Sequence, residues 1–209
     1  MIVTRWWLIR HAPVRNPDKV IYGRDDPPAD TGDAAALAAL AERLPANAVW
    51  VTSHLRRTRQ TAAALRLPGS DMALVERDLA EQDFGAWEGL SHDAVAASQP
   101  EEARRFWSAP ATEAPPGGES FATVMDRVAG AVRRLTAAAE GRDIVAVIHG
   151  GSIRAALALA LDLTPEAALR LSVAPLSLSR IDHYGGGSWP GSWSVGALNA
   201  LGTFPGGGR

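Results

Sequence analysis

Two short apolar runs, each ending on a histidine, constrain this chain more than any other feature. Residues 144–148, IVAVI, hold no polar side chain and are followed at once by His149, Gly150 and Gly151. A run so short and so uniformly apolar reads as a strand buried on both faces, the kind found in sheets flanked by helices. The other run, WWLI at residues 6–9, leads in the same way into Arg10 and His11. In open α/β sheets ligands bind outside the carboxyl ends of the strands, so both histidines are expected at one crevice. Gly150 and Gly151 allow a tight turn into a helix starting near Ser152, and the first N–H groups of a helix suit an anion. Together the two segments point to phosphate chemistry.

Composition removes several alternatives. The 209 residues, 46% of them hydrophobic, suffice for one sizeable core and for a single α/β domain over 1–209. With 21 basic and 23 acidic residues the net charge is -2, which indicates neither nucleic acid nor an anionic membrane as partner. Any anion must be met locally. There is no cysteine, so disulfides, thiolate nucleophiles and cysteine-ligated metals are excluded. The N-terminal run is very short and lacks a small-residue cleavage pattern, so it reads as a first strand and not as a leader. No apolar run approaches the roughly 18 residues of a membrane span. The expectation is a soluble, cytoplasmic protein, with a homodimer compatible but not required.

Along the chain, a strand at 3–9 runs into a polar, Pro-rich loop at 14–32 that contains Tyr22 and Gly23 and reads as a binding loop. A helix follows at 33–44, capped by Asp30 or Thr31, with Leu37, Leu40 and Leu44 at helical spacing and Pro45 as its stop. After a short strand at 48–52, Ser53 is expected to cap a basic helix that Pro68 and Gly69 end. Arg56 and Arg59 share one face of that helix, while Arg57 is turned about 100° away from Arg56. One of the three can therefore face the crevice while the others form a solvated basic face.

Beyond a strand at 73–76, residues 79–90, LAEQDFGAWEGL, lose all periodicity and mix carboxylates with Phe84 and Trp87, as site loops do. Glu81, between apolar Leu79 and Phe84, is the candidate proton-transfer carboxyl group, with ordinary surface charge as the alternative. Short helices at 91–98 and 101–108 precede a Pro/Gly linker at 109–118. A long helix at 119–140 then buries Phe121, Val124, Val128, Val132 and Leu135 and ends at Gly141. After His149 come a helix to Leu161, a short helix past Thr164 and Pro165, and alternating strands at 177–183 and 193–199. The tail, LGTFPGGGR, reads as mobile. His54 and His92 read as exposed helix-start residues and His183 as structural; the five histidines show no short metal-ligand spacing.

Four blocks in order, LIRHAPV, SHLRRTRQTA, LAEQDFGAWEG and VIHGGSIR, resemble the histidine phosphatase superfamily, its phosphoglycerate mutase-like branch and the α-ribazole phosphatase-like members in particular. The resemblance implies a three-layer α/β/α sandwich with a mostly parallel sheet and no metal or organic cofactor. It makes His11 the nucleophile, Arg10 and Arg57 phosphate ligands, His149 the second histidine and Glu81 the general acid. The family pattern Ser, any, Leu, any, Arg falls on Ser53, Leu55 and Arg57, which selects the inward arginine. Substrate is expected against Arg10, Arg57, His149, Gly150, Tyr22 and Gly23.

Three positions depart from the family pattern: Ala12 for Gly, Pro17 where an Asn is usual with Asn16 one place early, and Pro175 for Asn. Two guanidinium groups and a protonated His149 can hold three phosphate oxygens while a neutral His11 attacks in line. Three functions fit: a phosphomonoesterase acting on a small phosphorylated metabolite, a phosphoglycerate mutase-type transferase, and a non-catalytic phospholigand-binding module.

Overall fold

The computed structural model describes residues 2–185 and 191–202. In chain order the elements are β1 (Ile2–Arg10), α1 (Ala34–Ala41), β2 (Val49–Thr52), α2 (Arg56–Ala64), β3 (Leu74–Val75), α3 (His92–Ser98) and α4 (Pro100–Ser108). They continue with α5 (Phe121–Ala139), β4 (Ile144–Ile148), α6 (Gly150–Leu161), α7 (Pro165–Ala168), β5 (Leu178–Gly185) and β6 (Ser192–Ala200). The strands lie in the order β3-β2-β4-β1-β5-β6. β1, β2, β3 and β4 run parallel, and β5 runs antiparallel to β1 and β6. The buried run at 144–148 is therefore the interior strand its composition implied.

Strand alternation decides the layers. Trp6 and Leu8 of β1, with Ile144, Ala146 and Ile148 of β4, pack against Val124 and Val128 of α5 and Ile153 and Leu157 of α6. The intervening residues Ile9, Val145 and Val147 turn to the other face and meet Leu37 and Leu40 of α1 and Ala62 of α2. Because each strand feeds both faces, the sheet needs a helical layer on each side, giving the α/β/α sandwich. Ile144 and Ile148 each contribute about 1.5–3 kcal/mol of burial free energy, so a charge at either position would break this layer. A third cluster, Ile21, Trp87, Val95, Ala103 and Phe106, packs α3 and α4 into a small lobe beside the crevice.

Several element ends differ from the sequence reading. Asp33, not Asp30 or Thr31, caps α1 by accepting from Ala36 N–H at 2.9 Å, because the Asp30 carboxylate is taken up by Gly32 N–H. The helix stops at Ala41, three residues early. Ser53 does not cap α2, whose cap position is Leu55 without a side-chain bond. β3 is only two exposed residues at the sheet edge. α5 is capped by Ser120 through Thr123 N–H and ends where Glu140 (φ 51°) and Gly141 (φ 87°) turn left-handed. Leu135 is only half-buried; Thr136 takes the inward place and accepts from Trp6 Nε1 at 2.9 Å. α6 begins at Gly150, ahead of Ser152. Of the tail expected to be mobile, 201–209, residues 203–209 lie outside the described residues.

Candidate active site

β1 and β4 are adjacent and parallel, with Arg10 paired to Ile148, so the residues that follow both strands leave the sheet at the same place. His11 N–H donates to Ile148 O at 2.9 Å, and the rings of His11 and His149 stand 5.2 Å apart at 64°. Both side chains are buried. His11 Nδ1 lies 2.7 Å from Ala12 O. A carbonyl oxygen only accepts, so Nδ1 carries the proton and Nε2 keeps its lone pair. Burial lowers the His11 pKa from 6.5 to about 3; the Ala12 carbonyl opposes this and the charges of Arg57 and Arg10 reinforce it. The ring is a neutral imidazole at neutral pH.

His149 Nε2 lies 2.7 Å from Ser53 Oγ. The hydroxyl accepts from Leu55 N–H at 3.2 Å, while Thr58 Oγ1 donates to Leu55 O at 2.8 Å. Which of the two donates follows the tautomer of the ring, and the other ring nitrogen is Nδ1. That nitrogen has no hydrogen-bond partner among the described residues. Burial, followed by the charge of Arg57, holds His149 well below its ordinary pKa. With the protein's own groups alone, burial and the Arg57 charge favour the neutral ring, whereas the protonated His149 of the sequence reading belongs to a site that holds phosphate.

Arg57 is fully buried, whereas Arg56 and Arg59 are exposed, so the inward arginine is the one the family pattern selected. Its Nη1 donates to Asp25 O at 2.7 Å and its Nη2 to Gly23 O at 2.6 Å, and its guanidinium lies 5.0 Å from the Tyr22 ring. Tyr22 and Gly23 thus stand at the site. Glu88 shapes this loop by accepting from Arg24 N–H, Asp25 N–H and Phe84 N–H at 2.8, 3.0 and 3.0 Å. Gly23 sits at φ 30°, and a Cβ there would come within 2.8 Å of Gln82 O. Arg57 Nε and Arg10 Nε are buried without a partner among the described residues. Arg10 Nη1 donates to Val173 O, and Leu176 N–H returns a bond to Arg10 O at 3.1 Å.

Glu81 Oε1 accepts from Gly151 N–H and Gln82 N–H, each at 3.1 Å. This carboxyl group occupies the first turn of α6, the position in which the sequence placed an anion. Gly151 permits the approach, since a Cβ on it would collide with Oε1. Gly150 lies against the Arg10 guanidinium.

The three departures also find their reasons. Ala12 is buried outside the left-handed region, and its N–H donates to Thr61 Oγ1 at 2.9 Å, so the methyl costs no backbone strain. Asn16 closes a turn onto Val20 through both side-chain atoms, at 2.8 and 3.0 Å, and is not aimed at the histidines. Pro175 lies in the 173–177 loop that Asn199 fastens by accepting from Ala174 N–H at 2.7 Å.

A chamber of about 340 Å³ opens beside these groups, lined among others by Arg10, Tyr22, Glu81, Gly151, Trp107 and Arg154. Sequence reasoning missed Arg154, although it falls three residues after Gly151, on the same side of α6. It also missed Ser53 as the partner of His149, and the lobe residues His92 and Trp107. His92 is exposed as expected, but His54 is half-buried in the turn between β2 and α2. A larger cavity, about 800 Å³, lies between Thr4, Glu140, His183 and Trp193 and holds none of the paired groups. There His183 packs on Trp193 at 4.7 Å, as a structural residue would. Among the described residues no group of three or more His, Cys, Asp or Glu could hold a metal ion, and no helix is long and apolar enough to cross a membrane.

Residues 6–195 match the sequence profile of the histidine phosphatase superfamily (branch 1). The chain belongs to that superfamily. The four sequence blocks implied the same family. A bifunctional protein of Mycobacterium tuberculosis is 36% identical to this chain over 190 residues, 88% of the chain and 52% of the relative. The chain thus spans about half the length of the first curated relatives it matches. A glucosyl-3-phosphoglycerate phosphatase of Mycolicibacterium vanbaalenii is 36% identical over 175 residues, 78% of this chain and 76% of its own. The solved structure of a mycobacterial glucosyl-3-phosphoglycerate phosphatase superposes with a TM-score of 0.78 at 30% identity, covering 95% of this chain and 99% of that chain. An α-ribazole phosphatase from Shigella flexneri, at 22% identity and a TM-score of 0.81 over 96% and 99% of the two chains, shares the fold.

Proposed function

We propose that this histidine phosphatase is a phosphomonoesterase that hydrolyses a small phosphorylated metabolite through a phosphohistidine on His11, within one catalytic domain. The observation that carries the reading is the protonation pattern of His11: Nδ1 is tied to Ala12 O, so Nε2 is a free and neutral nucleophile. Arg10 and Arg57 each keep a buried Nε–H unused by the protein, and two such donors suit the phosphate oxygens. His149 Nδ1, also buried without a partner among the described residues, adds a third once the ring is protonated. The charge of a phosphate dianion would favour protonation of His149, giving the clamp its third positive group.

The steps follow from these positions. Nε2 of His11 bonds to phosphorus as the ester P–O bond breaks, and Glu81 delivers a proton to the departing oxygen from Oε2, the oxygen that Gly151 and Gln82 leave free. The resulting carboxylate then takes a proton from water, whose oxygen attacks phosphorus and releases phosphate from the ring. Relatives named glucosyl-3-phosphoglycerate phosphatase support a small phosphoester as substrate.

Rapid quench with labelled substrate is expected to trap an acid-labile, base-stable phosphoenzyme, and His11→Ala is expected to abolish both the trap and turnover. Label found on serine, or an active enzyme with no trappable intermediate, would overturn the mechanism. Because the clamp is built from guanidinium groups, activity is expected to survive EDTA. Activity lost to chelation and restored by a divalent cation would count against it.

A further inference from the structure

We propose that Arg154 binds a second anionic group, a carboxylate, on the leaving-group side of the substrate; this rests on the phosphatase reading and names its substrate class. Arg154 Nε donates to Leu171 O at 2.8 Å, which fixes the plane of the guanidinium. Its two terminal nitrogens have no partner among the described residues, and no ion pair forms there. Such a half-buried arginine differs from Arg24, Arg127 and Arg134, whose charges meet carboxylates at 2.7–3.5 Å. A desolvated guanidinium with both Nη groups open is a fork suited to a carboxylate.

Position separates this group from the phosphate clamp. The chamber that Arg154 lines is also lined by Arg10 and Glu81, but not by His11, His149 or Arg57. Arg10 and Glu81 therefore stand at the boundary, and the carboxyl group that must meet the departing oxygen faces the space in which Arg154 waits. Whatever is attached to that oxygen occupies the chamber. Phe84, Phe121, Leu169 and Trp107 supply apolar and aromatic wall that suits a carbon skeleton, and Gln82 adds a neutral polar group. Besides Arg10 and Arg154, only His92 among the lining residues could add positive charge, and only Glu81 adds negative charge. A leaving group carrying a carboxylate fits this balance better than a neutral alcohol.

The test compares 3-phosphoglycerate with glycerol 3-phosphate, which have the same three-carbon length and differ in carboxylate against hydroxymethyl. The wild-type protein is expected to favour 3-phosphoglycerate in kcat/KM by about 10- to 100-fold, the size of a charge-assisted hydrogen bond. Arg154→Met is expected to collapse that ratio at least tenfold, mainly through KM, and Arg154→Lys to restore part of it. Equilibrium binding of both compounds to the His11→Ala protein repeats the comparison without turnover, so a failure of the hydrolase reading leaves this test intact. No preference in the wild-type protein would overturn the proposal. So would an Arg154→Met variant that loses both compounds equally, since Arg154 would then serve the phosphate or the fold.

Discussion

His11 and His149 are held neutral by burial, and that state has a measurable cost at low pH. Both folded-state pKa values lie below the 6.5 of an ordinary histidine, that of His11 at about 3. Above pH 6.5 the rings are neutral folded or unfolded. As pH falls below 6.5 the unfolded chain binds protons that the folded chain refuses, so stability is lost progressively down toward pH 3. Between pH 7 and 4.5, His11→Asn is expected to reduce that loss by about 2–3 kcal/mol relative to the parent, as read by urea denaturation. Equal slopes in the two proteins would sink this account. Gly151 offers a second test at the same scale. A Cβ there collides with Glu81 Oε1, a flexible side-chain end that can move, while alanine suits a helix better than glycine by up to about 1 kcal/mol. Gly151→Ala is expected to keep or raise the melting temperature while lowering kcat at least tenfold. Unchanged kcat would mean that the position of Glu81 does not matter.

At the level of elements, the site is held from behind by α5. Arg127 donates to Asp78 O, Ala80 O and Glu81 O at 2.6, 2.9 and 3.1 Å and pairs with Glu119 through two nitrogens at 2.7 and 3.0 Å. Glu119 in turn accepts from Asp83 N–H at 3.0 Å, so one ion pair clasps the segment that carries Glu81 from both sides. The Arg127 charge also lowers the Glu119 carboxyl below its ordinary value, against the effect of burial. Arg127→Met is expected to destabilise the fold on the order of 2 kcal/mol, less than for a fully buried pair, and to lower kcat far more than it raises KM. Arg127→Lys keeps the charge without the fork and should recover stability better than kcat. A folded Arg127→Met protein with the parent kcat and pH profile would refute this positioning role.

At the scale of the whole molecule, the arrangement bears on hydrolase against mutase. A mutase must keep water from the phosphohistidine until the phosphoryl group returns to substrate. Between Gln82 and His149 this chain has α3, α4, a turn-rich linker and α5; the small lobe contributes His92 and Trp107 to the wall of the chamber. Within this lobe Trp87 and Phe106 pack on each other, ring centroids 5.1 Å apart, while Trp107 stays half exposed at the chamber. Phosphate release is therefore expected to outrun interconversion of 2- and 3-phosphoglycerate. Interconversion much faster than hydrolysis of any monoester tested would reverse the assignment.

The sequence by itself determined the elements and most of the groups. Short apolar runs marked β1 and β4 as strands that each deliver a histidine at their end, because hydrophobic patterning is a local signal; that the two strands pair in parallel and bring His11 and His149 to one edge is a tertiary fact. Helical spacing isolated Arg57 from Arg56 and Arg59, and the family blocks selected it. Only the tertiary structure decided the rest. Ser53 and His149 are 96 positions apart, and Arg127 and Ala80 are 47 apart; no periodic signal links such pairs. Whether His149 is charged depends on how much water the folded chain removes and how near Arg57 comes, which no spacing states. The same holds for Arg154: its place on α6 was legible, but its unpaired guanidinium facing the chamber is a result of packing between elements.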